Sequence, residues 1–241
     1  MKTLLSFQMS IFGTFSHFSA TKENYDKVLT ALGGKFLPSS IIGRDFDLQS
    51  GKVTQSARMS FINPDSGWNI VLLKDRIDLN FSKSDGLDSE IAIQVILQEG
   101  KEALGKVMKS LHISAGRIAV NYKYTVDNEK EKIERIRKKV ASGVSYFNTK
   151  NIGEWSVHND SIESVELNGV NEVTNIIVDI SMFNKNPRDE PTQLIIGYDI
   201  NTHQLNLTER FKINDISTFF TYANGIANLL DKSVSELFLG E

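Results

Sequence analysis

A chain of 241 residues with 40% hydrophobic and 24% charged residues, a formal net charge of -3 and no cysteine is long enough to bury a sizeable core, since domains commonly run to about 100–150 residues. That composition excludes disordered and fibrous classes, and the near-neutral balance gives no case for broad electrostatic binding to nucleic acid or an anionic membrane. The missing thiols exclude disulfides, thiolate zinc sites and a cysteine nucleophile; they fit a cytoplasmic location, and no apolar run approaches the roughly 20 residues that span a bilayer.

The opening MKTLLSFQMSIFGTFSHFSA has a lysine ahead of an apolar stretch, as a secretory leader does. Gln8, Ser10 and His17 interrupt the stretch, while Phe7, Met9, Ile11, Gly13 and Phe15 alternate, which predicts a strand instead. In ATKENYDKVLTALGG, Tyr25, Val28, Leu29 and Leu32 fall at helical spacing ahead of Gly33 and Gly34, a helix with a glycine stop. KFLPSSIIGRDFDL, KVTQSARMSFINP and WNIVLLKDRIDLNF then read as an antiparallel meander broken by Gly, Ser, Asn and Pro. Within the last of these, Trp68, Ile70 and Leu72 share one face, as do Ile77, Leu79 and Phe81, leaving Lys74, Asp75 and Arg76 at the reversal. Asp78 and Asn80 point together to the opposite face, which an antiparallel sheet can leave wet. LDSEIAIQVILQEGKEALGKVMKSL is a long amphipathic helix, expected to bend near Gly100.

The second half repeats the plan. GRIAVNYKYTV is a strand, NEKEKIERIRKKVASGV a charged helix with Asn128 as its N-cap, NIIVDISMF and QLIIGYDI are strands, and NDISTFFTYANGIANLLDKSVSELF is a closing helix. The expected fold is therefore α+β, with two similar halves, each an antiparallel meander carrying a short and a long helix. The first unit covers residues 1–114 and the second 115–241, an internal duplication packed as one body.

The segments DRIDLNF, GRIAVNYKY and ISTFFTYANGIANLLDKSVSELF resemble landmarks of a sporadically distributed family of uncharacterised bacterial proteins of about this length. In that family a strand with a basic and aromatic ending, like Arg117 to Tyr124, sits mid-chain and an aromatic-bearing helix closes it; the opening here lacks the family's proline-rich start. The resemblance covers the middle and end of the chain. It implies a cytoplasmic protein of a bacterial or phage-related mobile gene set and no particular activity.

Chemistry is sparse. His17, His112, His158 and His203 are the only bases of the neutral-pH kind, and none has a partner at ligand spacing. Asp65 with Glu99, Gly100 and Lys101 imitates the acid-x-lysine element of metal-dependent nucleases. There, however, alternate residues must share a strand face, and here Glu99 and Lys101 fall on the long helix. LGGKF follows a helix rather than preceding one, so it is no phosphate loop, and KNPRDEP at 185–191 reads as an exposed loop. The strongest positive signal is EKEKIERIRKKV, where acids lead and bases trail as the helix dipole favours. Arg135, Lys138 and Lys139, joined by Lys123 and flanked by Tyr122, Tyr124, Tyr146 and Phe147, are the candidate basic patch for nucleic acid or an acidic protein.

The reading favoured is a noncatalytic protein-interaction module of a bacterial or phage-encoded system, binding a protein partner or itself, without cofactor or metal. The competing readings are a metal-dependent enzyme acting on nucleic acid or a phosphoester, with Asp75, Asp78 and Asn80 as its acidic cluster, and a nucleic-acid-binding protein using the basic helix.

Overall fold

Alternation at Phe7, Met9 and Ile11, none more than 1% exposed, builds the strand on which the sheet is centred. In a computed structural model, the structure describes residues 2–15, 18–46, 51–87, 90–127, 130–141, 155–183, 193–203 and 208–239. Strand β1 (Lys2–Phe12) is followed by helix α1 (Lys22–Leu32), strands β2 (Leu37–Phe46), β3 (Val53–Asn63), β4 (Trp68–Leu72) and β5 (Arg76–Leu87), and helix α2 (Glu90–Leu111). Then come β6 (Arg117–Asp127), α3 (Lys130–Ala141), β7 (Ser156–Leu167), β8 (Val170–Phe183), β9 (Gln193–Thr202) and α4 (Ile213–Leu239).

The nine strands among the described residues join in one antiparallel sheet of order β2-β3-β4-β5-β1-β6-β9-β8-β7. This corrects the expectation of two similar halves, each a meander with its own pair of helices. β1 pairs with β5 on one side and with β6 on the other, from Lys2 opposite Val126 to Phe12 opposite Arg117, so the sheet continues across the point at 114–115 where two units were expected. The physical reason lies in the unpaired backbone groups of a strand, which seek a partner strand wherever one is free. β1 and β6 satisfy each other.

The helices form one shared layer rather than two: α1 packs on α2, α2 on α4, and α4 on α3. Val28 and Leu32 of α1, Leu104, Val107 and Met108 of α2, Ile133 and Ile136 of α3, and Phe219, Phe220 and Ala223 of α4 enter one core with Phe7, Met9, Ile77, Leu79, Val120 and Ile196 from the sheet. Full burial of each large apolar side chain contributes roughly 1.5–3 kcal/mol, so this face supplies most of the stability. α1 begins at Thr21, whose Oγ1 accepts from the Asn24 N–H at 3.3 Å, and stops at Gly33 with φ 71°, the left-handed conformation that favours glycine. The N-cap expected at Asn128 and the loop expected at 185–191 lie outside the described residues.

α2 runs unbroken through Gly100. That glycine serves a close approach: a Cβ there would stand 2.8 Å from Met9 Sδ and 3.0 Å from the Trp68 ring, so α2 lies down directly on β1 and β4. A second latch holds the start of α4. Arg210 donates from Nε and an Nη to the two oxygens of the buried Glu172 at 2.7 and 2.8 Å, reaches the Gly116 carbonyl, and stacks over Phe211 at 4.3 Å. A bidentate pair of this kind ties α4 to β8 and β6 with fixed geometry.

Gly100→Leu is expected to lower the unfolding free energy in a urea titration by about 1–3 kcal/mol through overpacking. At Gly105 a Cβ would meet only Ile213 Cγ2 at 3.5 Å, an ordinary contact. Gly105→Ala is therefore expected to raise stability by about 0.5–1 kcal/mol through helix propensity alone. Equal effects at the two glycines would contradict the close approach at Gly100.

Candidate functional site

Because strand side chains alternate, burying Phe7, Met9 and Ile11 under the helices turns Ser6, Gln8 and Ser10 to the other face. The same parity places Asp78, Asn80 and Ser82 of β5, Ala119, Asn121 and Lys123 of β6, Gly197, Asp199 and Asn201 of β9, and Asp179 and Ser181 of β8 on that face. No helix covers it among the described residues. Register aligns these side chains in rows across the strands. One row runs Asn69, Asn80, Gln8, Asn121, Asp199; its neighbour runs Ser82, Ser6, Lys123, Gly197, Asp179, His158.

From Asn80 to Asp199 in the first row and from Ser82 to Asp179 in the second, these residues line a groove of about 480 Å³ that crosses β5, β1, β6, β9 and β8; Asn69 and His158 continue the rows beyond it. Gly197 is one of its lining residues. A Cβ built there would find its nearest neighbour, Asp179 Cβ, at 3.7 Å, so no close contact of the fold requires glycine. The missing side chain leaves room above the strand, a position where another backbone can approach.

Charge in the groove is mixed and anchored. His158 Nδ1 and Asp179 Oδ1 are 2.7 Å apart at the β7–β8 side. Asn201 Nδ2 donates to Asp199 Oδ1 at 3.0 Å. Burial pushes the Asp199 carboxyl above its ordinary range, with the Asn201 hydrogen bond and Arg117 opposing and Asp179 adding to the shift. Arg117 donates to the Thr202 carbonyl at 3.3 Å and lies over the Phe12 ring at 4.5 Å. Burial likewise lowers its guanidinium from the ordinary value, with Asp199 opposing.

The residues singled out in the sequence disperse. Asp75 sits at the β4–β5 reversal, where its carbonyl accepts from the Gly13 N–H at 3.0 Å. Asp78 and Asn80 share the helix-free face as expected, but Asp78 is buried rather than wet. Its Oδ1 accepts from Ser10 Oγ at 2.7 Å and its Oδ2 lies 3.0 Å from Arg76 Nε. Lys123 is exposed on the groove side of β6, whereas Arg135, Lys138 and Lys139 belong to α3 in the helix layer, so the sheet lies between them. Tyr122 and Tyr124 are buried in the core, stacked at 6.3 Å; Tyr146 and Phe147 lie outside the described residues.

Asp65 and Glu99 do line one cavity, beside Trp68, whose indole N–H donates to Glu99 Oε2 at 3.1 Å. Lys101 does not line that cavity and opens on the α2–α4 groove instead. His112 ends α2 with φ 53° and His203 follows β9, while His17 is outside the described residues. Among the described residues no three His, Asp or Glu side chains gather as a metal site would need, and no helix is long and apolar enough to cross a membrane.

Sequence reasoning passed over Gln8, Asn121, Gly197, Asp199 and Asp179. The signal was present in the central strands, whose second face carries Ser6, Gln8 and Ser10, Asn121 and Lys123, and Asp199 and Asn201 where a two-sided core would need apolar residues. No protein-family model matches the chain, and no curated protein matches it significantly.

The raised carboxyl of Asp78 has a measurable consequence. Burial is the largest cause, outweighing Ser10 and Arg76, so the folded state binds this proton more tightly than the unfolded state. The stabilising contribution is complete below the ordinary aspartate value of 3.8 and is lost as pH rises through the folded value. Asp78→Asn keeps an acceptor for Ser10 and removes the ionisation. Its stability relative to the natural chain is expected to improve as pH rises from about 3 to about 7 and then level off, read from urea midpoints. A difference that does not change with pH would contradict the assignment.

Proposed function

We propose that the chain is a noncatalytic protein-interaction module that holds an extended segment of a protein partner in the helix-free groove, as a component of a bacterial or phage-encoded system. The observation that carries this reading is the row of amide side chains Asn80, Gln8 and Asn121 along a groove also lined by Gly197. Amides both donate and accept, so a row of them complements the alternating N–H and C=O groups of an extended backbone. The mixed charge of Lys123, Asp179 and Asp199 suits a polar protein surface better than a polyanion. The polar rows of this face carry no Phe, Tyr or Trp, and Arg117 covers the Phe12 ring at their end, whereas single-stranded nucleic acid is held chiefly by stacking on aromatics.

An enzymatic reading has less support in the geometry. Asp78 and Asp199, the two carboxyls that burial raises, lie on β5 and β9 with β1 and β6 between. Three strand spacings separate them by about 14 Å, beyond the roughly 9.5 Å that two-carboxylate hydrolysis uses at its widest. The resemblance of DRIDLNF, GRIAVNYKY and the closing helix to the sporadically distributed bacterial family supports the cellular setting.

Gly197→Leu raises a side chain from the groove floor without displacing backbone. In affinity capture from host lysate, a stoichiometric partner is expected with the natural chain and with the Lys138→Glu, Lys139→Glu double variant. Recovery is expected to fall at least about tenfold with Gly197→Leu at unchanged melting temperature, the equivalent of about 1.4 kcal/mol. Equal recovery with Gly197→Leu would refute the groove, and loss only with the α3 variant would transfer binding to the basic helix.

A further inference from the structure

A second concave surface lies on the opposite side of the molecule, in the helix layer. Residues of α2 and α4 line a groove of about 510 Å³ there. Its floor is apolar, formed by Gly105 and Met108 of α2 and by Ile213 and Ile216 of α4. Ile213 is 38% exposed, whereas Ile216, Phe219 and Phe220 in the next two turns of the same helix are buried. Along α2 the groove extends from Gln98 to Lys109, about 16 Å at 1.5 Å per residue, the length of three helical turns.

Two features point to an occupant. The first is Gly105. Glycine inside a helix is unfavourable relative to alanine, and Gly100, a little over one turn earlier, has a reason for it in the approach to Met9 and Trp68. Gly105 has none within the fold, since a Cβ there would meet only Ile213 at 3.5 Å. What its missing side chain does is keep the groove open. The second feature is charge. Lys101, Lys106 and Lys109 rim the groove against a single acid, Glu102, whose Oε1 already accepts from Gln98 at 2.8 Å. That local excess of positive charge stands against a chain whose net charge is -3.

We propose that the α2–α4 groove is a docking site for an acidic amphipathic helix of a partner protein. The partner's apolar stripe lies on Gly105, Met108, Ile213 and Ile216, and its flanking carboxylates meet Lys101, Lys106 and Lys109. An apolar floor between two helices with a rim of one charge is the arrangement by which grooves take helices, read through anchors at i, i+3, i+4 and i+7. This surface is separate from the helix-free groove, so either can fail without the other.

The test uses the full chain and a synthetic helical peptide with leucine at i, i+3, i+4 and i+7 and glutamate elsewhere. A control peptide carries lysine in place of glutamate. Saturable binding of the acidic peptide is expected by fluorescence anisotropy, with amide chemical-shift changes confined to the residues of the groove and weakening as salt is added. Reversing Lys101, Lys106 and Lys109 to glutamate is expected to lower its affinity at least about tenfold, because three attractive rim pairs become repulsive. Gly105→Leu, which favours the helix and fills the floor, is expected to abolish binding while the melting temperature holds or rises. Equal affinity for the lysine peptide, absence of saturable binding, or shifts on the sheet face would overturn the proposal. So would a concentration-dependent dimer that Gly105→Leu dissolves, because a second copy would then be the occupant.

Discussion

Pairing of β1 with β6 is the contact on which the rest of the molecule depends. It joins strands whose residues lie more than a hundred positions apart, in register from Lys2 opposite Val126 to Phe12 opposite Arg117. Met9, Ile11, Ile118 and Val120 along that seam have no exposed surface. Closing so long a loop costs entropy before any contact repays it, and the repayment comes from burying these side chains beneath α2 and α4. Once the seam exists, β5 has a place on one side and β9 on the other, and each meander extends outward from there.

The seam also decides what each face can be. A single sheet with its connecting helices gathered on one side has one apolar face and one face that only needs to be compatible with water. Phe7, Met9 and Ile11 take the first role and Ser6, Gln8 and Ser10 the second. Since the strands are in register, polar positions on neighbouring strands line up, and rows of amides and hydroxyls follow from the same pairing that forms the core. The helix layer has its own boundary. α2 is drawn onto the sheet at Gly100, while Gly105 lines the groove shared with α4, so close packing at one glycine and an open groove at the other occur a little over one turn apart.

Local structure was legible in the sequence where a single element decides it. Gly33 ends α1, the Trp68–Leu72 and Ile77–Phe81 alternation gives the hairpin with Lys74 and Asp75 at its reversal, although Arg76, expected there, already opens β5, and the apolar spacing from Ile216 to Leu230 gives α4. The arrangement of those elements was not legible. Period 2 says which residues of one strand share a face and nothing about which strand lies beside it, so the β1–β6 contact left no trace and two separate meanders were expected. Asp78 shows the same limit for the site. Its face could be read from alternation, but its burial depends on Ser10, sixty-eight residues away. The groove was missed because its members come from five strands, each contributing one or two ordinary polar residues.

Native-state hydrogen exchange of the full chain measures the seam directly. The amides of β1 and β6 are expected to exchange only through global unfolding, with the same opening free energy on both strands and with β2 and β7, at the sheet's edges, opening first. Exchange at β1 and β6 that is faster than in β4 and β8, or opening free energies that divide the chain into two independent sets at residues 114–115, would contradict a single sheet held together at its centre.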